Sequence, residues 1–348
     1  ADVAWAVGEY VRVTGETGLL WNGGWECMLE CVRFLHSYAY RTFDDSHYVL
    51  ADVTGPDEYH ERVANNAYTN YLTRYVTEAL TEAGDLLREE DPERYRVLLS
   101  ACGSDEAELA RLRDFAARLF LPAADPQTGL IEQFSGYFRL EDCSLAELRS
   151  RILQPTEYLG GGNGLATTTR ILKQADVVLL LHLLGERFSS RCKKANWHFY
   201  EPRTEHGSSL SACAYALVAA EIGEPAFARD YFLRTASIDL EGKGKDYVGN
   251  LYIGGTHPAA NGGAWMVAVL GFAGLRLRPD GLHVAPRLPA EWTSLRFAFS
   301  WRGQRLRADF RHNAIRLAAD PANTRPVPCD LSSASGVLAP GQVLRHFA

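Results

Sequence analysis

The densest group of reactive side chains in this 348-residue sequence is Asp52-Val53-Thr54-Gly55-Pro56-Asp57-Glu58-Tyr59-His60-Glu61. Gly55-Pro56 fixes a turn. Asp57, Glu58 and Glu61 are then expected at the start of a helix, where the macrodipole favours acids. Helix capping accounts for one acid. Three acids with a histidine and Tyr59, followed by Asn65, Asn66, Tyr68 and Asn70, fit a site lined with hydrogen-bonding groups for a polyhydroxylated ligand.

Three further segments carry polar groups of the same kind. In Thr168–Asp176, Lys173 and Gln174 interrupt an otherwise apolar helical pattern. A solvated face is the plain alternative, but the apolar Val177–Leu181 argues for burial of that end. In Trp197–Ser211, Ser208 and Ser209 stand where a helix begins. Their hydroxyls and the free backbone N–H groups there can hold an anion, and His206 adds a donor or a positive charge. An ordinary serine cap explains the same residues. A Ser/His nucleophile pair lacks the G-x-S-x-G elbow it needs. Gly254–Gly263 reads as a glycine-rich loop opening a helix. It matches neither the phosphate-binding loop nor the dinucleotide fingerprint, and offers either close backbone approach to a ligand or plain turn chemistry.

These segments need elements to hold them. Helical periodicity predicts helices over Val3–Val13, Leu20–Arg41 and Glu61–Glu89, and from a Ser104 cap to about Phe120. Asp125–Asp142 reads as a loop and Ser144–Arg151 as a short helix. Gly160–Gly164 must be a loop. Further helices are expected over Ala166–Leu184, Ser208–Glu221, Pro225–Ile238 and Gly262–Gly274. From about Arg276 the period changes to two, with runs at Leu282–Val284, Leu295–Trp301, Gln304–Phe310 and Ala314–Leu317. Arg302-Gly303 sits at an expected hairpin turn. The polar segments all lie near loop-to-helix junctions, which a helical barrel gathers at one end. The expected organisation is a barrel portion over residues 1–278 and a small β domain over residues 279–348.

Composition narrows the class. With 36 basic and 43 acidic residues the formal charge is −7, which argues against a nucleic-acid footprint. No apolar run reaches membrane-spanning length. Seven cysteines, with no CxxC pair, suit a reduced, cytoplasmic setting. Cys27 and Cys31, at helical spacing, read as two small apolar residues. No metal-ligand spacing is present, so no metal is expected.

The run DVTGPDEYHERVANNAYTNY at Asp52–Tyr71 closely resembles the signature of glycoside hydrolase family 65, the inverting disaccharide phosphorylases and relatives. Matching stretches follow in order: GLIEQFSGYF at Gly129–Phe138, KQADVV at Lys173–Val178, YEPRTEHGSSLS at Tyr200–Ser211 and GGAWMVAVLGFAGLR at Gly262–Arg276. PRLPAEWTSLRF at Pro286–Phe297 is similar to the family's C-terminal β domain. The resemblance covers nearly the whole chain. It departs at Gly254–Asn261 and at Gln154–Thr169, which has the look of an insertion; both lie where acceptor selectivity could be set.

The resemblance implies a mostly α fold, an (α/α)6 barrel followed by a small antiparallel β domain. It implies that Glu58 is the general acid, with a pKa raised to keep it protonated. Lys173 and Gln174 contact the glucosyl residue, and His206, Ser208 and Ser209 bind phosphate. The expected reaction is phosphorolysis of an α-glucosyl disaccharide to β-glucose 1-phosphate. Phosphate replaces the carboxylate base that an inverting hydrolase requires. No cofactor is implied beyond phosphate as co-substrate, and the partner offered by analogy is a second copy in a homodimer. Two alternatives stay open: a hydrolase of the same family with Glu205 or Glu201 as base, or an inactive sugar-binding fragment. Family members are longer, so the chain is expected to lack the first barrel helices and a Trp-Asp segment that helps hold the glucosyl group. Alone it is expected to be inactive or poorly folded, with apolar surface exposed. The linkage of the disaccharide is not fixed by the sequence.

Overall fold

A computed structural model of the chain describes residues 1–154, 157–162, 164–240, 255–331 and 335–347. Gly254 of the glycine-rich loop, Asn163 of the glycine cluster, and Pro155 and Thr156 of the 154–169 stretch lie outside the described residues. Contacts divide the chain into two compact units. One comprises Ala1–Gly55, Arg62–Ala123 and Ile131–Tyr137; the other comprises Pro56–Glu61, Ala124–Leu130 and Phe138–Ala348.

The first unit is built from α1 (Asp2–Thr14), α2 (Trp25–Tyr38), α3 (Ala67–Glu90), α4 (Pro92–Ala101) and α5 (Glu106–Arg118). Leu72, Val76, Leu80 and Leu87 form one stripe of α3. They are buried along with Trp25, Leu29 and Val32 of α2 and Leu112 and Phe115 of α5. The single helix expected over Leu20–Arg41 is interrupted. Gly23 takes φ 98 and Asn22 leaves helical geometry, so α2 starts only at Trp25. Tyr40–Arg41 (β1) pairs instead with Tyr48–Val49 (β2). The helix expected from Glu61 starts at Ala67, because Arg62 and Asn65 adopt left-handed φ of 59 and 55. Asn66 caps it, its side-chain oxygen accepting from Thr69 N–H at 2.9 Å. The cap of α5 is Asp105 rather than Ser104, whose hydroxyl donates to Glu108. Helix α4 was not among the expected elements.

The second unit contains α6 (Leu145–Ser150), α7 (Val177–Leu183), α8 (Ser190–Tyr200), α9 (Ser211–Ile222), α10 (Pro225–Ala236) and α11 (Pro258–Met266). Helix α9 is buried at most of its positions, the signature of a helix covered all round. The helix expected over Ala166–Leu184 is replaced by a 3-10 turn at Leu165–Thr168 and an extended stretch to Asp176, and only α7 is helical. Thr169 and Ile171, which follow the turn, are β-branched and favour that extension. Helix α8 was also unexpected, and α11 begins at Pro258, so Ala259–Gly263 is helical, not loop.

The C-terminal strands are β3 (Leu275–Arg278), β4 (Gly281–Val284), β5 (Leu295–Trp301), β6 (Gln304–Arg311), β7 (Ala314–Ala319), β8 (Val327–Asp330), β9 (Ser335–Leu338) and β10 (Val343–Phe347). They form two four-stranded sheets, ordered β10-β7-β6-β5 and β3-β4-β8-β9. Pairing is antiparallel except for β4 with β8. Arg302-Gly303 makes the β5–β6 turn with both residues at positive φ, as a tight hairpin requires. Leu306, Ala308 and Phe310 alternate inward against Ile315, Leu317 and Ala319. The chain is thus mostly helical with a small C-terminal β region. No helix among the described residues is long and apolar enough to cross a membrane.

Candidate active site

The acids of the Asp57–Glu61 run sit in a loop, not at a helix start. Asp57 is buried and organises that loop through its carboxylate. Oδ1 accepts from Tyr59 N–H at 3.2 Å and from Lys173 N–H at 2.9 Å. Oδ2 lies 2.6 Å from His60 Nδ1. The other nitrogen of His60 faces the Thr169 carbonyl at 2.8 Å. Both partners of this buried ring can only accept, so both nitrogens carry protons and His60 is an imidazolium. Burial opposes that charge, but the Asp57 carboxylate outweighs it and raises the His60 pKa above 6.5. Asp57 N–H also donates to buried Asp176 at 3.3 Å.

Held in this way, Glu58 projects with its side chain 51% exposed, and Lys173 Nζ forms an ion pair with it. The Lys173 ammonium also lies 5.4 Å from the ring centre of Tyr158. Burial pulls the Lys173 pKa down, while Glu58 and Tyr158 more than compensate and raise it. Gln174 donates to the Pro56 carbonyl; its own side-chain oxygen is buried without a partner. Gly160 packs so closely on the loop that a Cβ there meets Tyr59 Cα at 2.9 Å.

Lys173 lies in the extended stretch, whose backbone pairs with the 203–207 segment. Leu172 N–H donates to Arg203 O at 2.8 Å, Glu205 N–H to Leu172 O at 2.8 Å and Gly207 N–H to Lys173 O at 3.0 Å. This ladder brings the predicted Lys173 and Gln174 beside the predicted His206, Ser208 and Ser209. Lys173 touches Glu58 through its ammonium and Gly207 through its carbonyl, so three sequence segments meet on one residue.

His206 departs from its expected part. Its φ of 56 is left-handed, a conformation that costs a non-glycine residue about 1–3 kcal/mol. Nδ1 lies 2.9 Å from Ser211 Oγ and Nε2 lies 3.0 Å from Tyr231 OH. Neither nitrogen is left for an anion. Burial, aided by Arg234, pushes its pKa down to about 3, which disfavours the positive charge, one of its two expected parts. Ser208 and Ser209 precede α9, which begins at Ser211, and Ser208 Oγ accepts from Leu210 N–H at 3.3 Å.

The two carboxylates considered as bases are engaged. Tyr59 OH donates to Glu205, whose other oxygen is 3.1 Å from Arg149. Glu201 accepts from Tyr231 OH at 2.6 Å. Burial and Glu205 raise the Tyr59 pKa, so it keeps the proton it donates.

The asparagines and tyrosine expected to line the site do other work, all within the first unit. Asn66 caps α3, Asn70 donates to Phe120 O at 2.8 Å and to Asn65, and Tyr68 OH donates to Asp2. In the fourth segment, His257 N–H donates to Asp239 at 2.8 Å, its Nδ1 lies 2.7 Å from the same carboxylate, and Asn261 donates to it at 2.8 Å. Sequence reasoning missed Asp57 as organiser, Tyr158, Gly160, Ser211 and Tyr231. Ser211 closes the Tyr200–Ser211 motif and was within reach; Tyr231, inside an ordinary amphipathic helix, gave no signal.

Comparison with known proteins adds the following. The description "Glycosyl hydrolase family 65 central catalytic domain" matches residues 1–266, and "Glycosyl hydrolase family 65, C-terminal domain" matches residues 275–330. The chain is 42% identical over 301 residues to a nigerose phosphorylase of Lachnoclostridium phytofermentans, covering 86% of this chain and 40% of that protein. It is 36% identical over 338 residues to a 1,2-alpha-glucosylglycerol phosphorylase of Bacillus selenitireducens, covering 97% and 44%. It is also 36% identical over 322 residues to a kojibiose phosphorylase of Escherichia coli, covering 92% and 40%. A solved structure from the human microbiome, 24% identical, has a TM-score of 0.85 over 99% of this chain and 49% of that one, a likeness of fold. The chain spans about two-fifths of the length of the curated relatives it matches.

Proposed function

The chain belongs to glycosyl hydrolase family 65, and from that premise we propose that it carries the catalytic centre of an inverting phosphorylase acting on an α-glucosyl disaccharide. Glu58 is the general acid that protonates the departing glycosidic oxygen. Phosphate, held at Ser208 and Ser209, attacks the anomeric carbon from the opposite face and leaves as β-glucose 1-phosphate. Lys173 and Gln174 hold the glucosyl group: the ammonium exchanges between Glu58 and a sugar hydroxyl, and the unpartnered Gln174 oxygen accepts a second one. No cofactor enters. The organisation proposed is an (α/α)6 barrel portion over residues 1–278 and a β domain over 279–348.

The observation that carries this reading is Lys173, which joins the acid loop to the His-Gly-Ser-Ser turn through opposite ends of one residue. Hydrolysis requires instead a carboxylate free to activate water. Glu205 and Glu201 are each taken up by a tyrosine hydroxyl, which favours phosphate as nucleophile. The relatives named act on different linkages, so the acceptor is left to experiment. The test is to supply α-glucosyl disaccharides with and without phosphate and follow glucose 1-phosphate and free glucose. Sugar phosphate formed only with phosphate present is the expected result. Free glucose release at a rate indifferent to phosphate overturns it. In the synthetic direction, β-glucose 1-phosphate with a panel of acceptors identifies the linkage.

A further inference from the structure

His206 is gripped at both ring nitrogens by residues that no motif points to, and the protons in that grip can be counted. Ala175 N–H can only donate, and Ser211 Oγ receives it at 3.2 Å. The Ser211 hydroxyl still has its proton and a second lone pair to offer His206 Nδ1, 2.9 Å away. At the other end the Glu201 carboxylate can only accept, and takes the Tyr231 phenolic proton at 2.6 Å. The phenolic oxygen therefore accepts from His206 Nε2–H at 3.0 Å. The Nε2 end runs one way, Nε2–H to tyrosine to carboxylate; at Nδ1 burial, which disfavours a charged ring, selects amide to serine to Nδ1. The imidazole is neutral and protonated on Nε2.

The backbone shows what the grip holds. His206 sits at φ 56. Its carbonyl accepts from Arg234 at 3.0 Å, and the next amide, Gly207, donates to Lys173 O at 3.0 Å. The Tyr215 and Tyr231 rings lie 4.8 and 4.9 Å from the imidazole centre. Ser208 and Ser209 follow directly in sequence. A left-handed residue persists only where its surroundings over-determine it, and here they do so on every side.

We propose that Ser211, Tyr231 and Glu201 are positioning residues that, by holding His206 at both ring nitrogens, set the 206–209 turn so that Ser208 and Ser209 meet phosphate. This rests on the phosphorylase reading above. It gives His206 a holding function in place of direct phosphate contact, and gives Glu201 the function of a hydrogen-bond terminus in place of a base.

The test uses steady-state kinetics and Tm of the full-length protein with Tyr231→Phe, Glu201→Leu and Glu201→Gln. Tyr231→Phe and Glu201→Leu are expected to raise the phosphate KM at least about tenfold, about 1.4 kcal/mol, with the disaccharide KM unchanged. Glu201→Gln keeps an oxygen that accepts the phenolic proton, and is expected to return the phosphate KM to within about threefold of wild type. Imidazole nitrogen NMR of wild type is expected to show a neutral ring protonated on Nε2, and Tyr231→Phe to lose that polarity. Unchanged phosphate KM in Tyr231→Phe and Glu201→Leu, with a phosphate-dependent wild type, overturns the proposal. So does a parallel rise of both KM values with a fall in Tm, which marks a merely structural role. Inactivation by Glu201→Gln overturns it in favour of Glu201 as base. A wild type indifferent to phosphate instead fells the phosphorylase reading itself.

Discussion

Replacing Gly160 with alanine moves the acid without touching it. Gly160 does not have a left-handed φ, so alanine costs nothing in backbone conformation, and its only effect is the added methyl. That Cβ stands 2.4 Å from Tyr59 Cδ1, 2.9 Å from Tyr59 Cα and 3.1 Å from Glu58 O. Carbon atoms in contact rest about 3.5–4.0 Å apart. The overlap is therefore about 1 Å with the ring and about 0.6 Å with the main chain. The ring cannot swing away freely: it is fully buried and its hydroxyl is held by Glu205. The main chain has to move, and Glu58 moves with it. A 1 Å misplacement in an active site costs about 100-fold, so kcat is expected to fall about 10- to 100-fold. The overpacking also destabilises by about 1–3 kcal/mol. Gly162→Ala serves as control, since a Cβ there meets nothing within 4 Å. The assay is initial-rate phosphorolysis alongside thermal unfolding of both variants. A Gly160→Ala enzyme with kcat within about twofold of wild type and unchanged Tm refutes the placement of Gly160 against Glu58.

Glu58→Gln is expected to lower turnover about 10²- to 10⁴-fold while calorimetry finds disaccharide affinity nearly intact; equal losses in both contradict the acid role. Lys173→Met removes one member of a partly exposed ion pair worth about 1 kcal/mol or less, so Tm should barely change while kcat/KM for the disaccharide drops at least about tenfold. A large Tm loss with normal kinetics speaks against that. His60 has a raised folded-state pKa, so its pairing with Asp57 contributes fully below pH 6.5 and is lost as pH rises through the folded value. Breaking the buried pair by Asp57→Asn is expected to cost about 3–5 kcal/mol. In urea titrations the gap from wild type should narrow as pH climbs above 6.5, and a gap that is constant with pH is incompatible with a charged His60.

The run of acids, the Lys-Gln pair and the His-Gly-Ser-Ser turn were legible as candidates because such polar groups stand out where a pattern is otherwise apolar. Their backbone state was not. Asp57, Glu58 and Glu61 look like the first turn of a helix, yet Asp57 accepts from Tyr59 N–H and Lys173 N–H and so closes a loop. The left-handed residues Arg62 and Asn65 then delay the helix to Ala67. Lys173 read as a polar break in a helix because the apolar residues after it are helical; the β-branched Thr169 and Ile171 before it favour extension. What holds the stretch out of the helix is a ladder with residues 203–207, some thirty positions along the chain, which no local window contains. The sheet region was read more completely. Alternation and a Gly turn are local signals, and the β5–β6 hairpin register follows from them. The parallel β4–β8 pairing joins Leu282 to Cys329 across three intervening strands and left no such trace.

The two buried histidines show why residue type alone misassigns function. His60 and His206 are both within the matched motifs and both nearly inaccessible. His60 faces two acceptors, a carboxylate and a carbonyl, and must hold two protons. His206 faces a serine hydroxyl that can give or take a proton and a tyrosine committed to a carboxylate, and burial leaves the ring with one. The first is held against Asp57, and Asp57 fixes the Glu58 loop. The second lends no charge and fixes the turn that carries the serines. From the sequence His206 offers a donor or a positive charge, whereas the cation placed at the junction of the two loops is Lys173. On the proposed reading, chemistry at this site falls to the partly exposed groups, Glu58, Lys173, Ser208 and Ser209. The buried histidines, with their tyrosine and carboxylate partners, supply the fixed geometry in which those groups act.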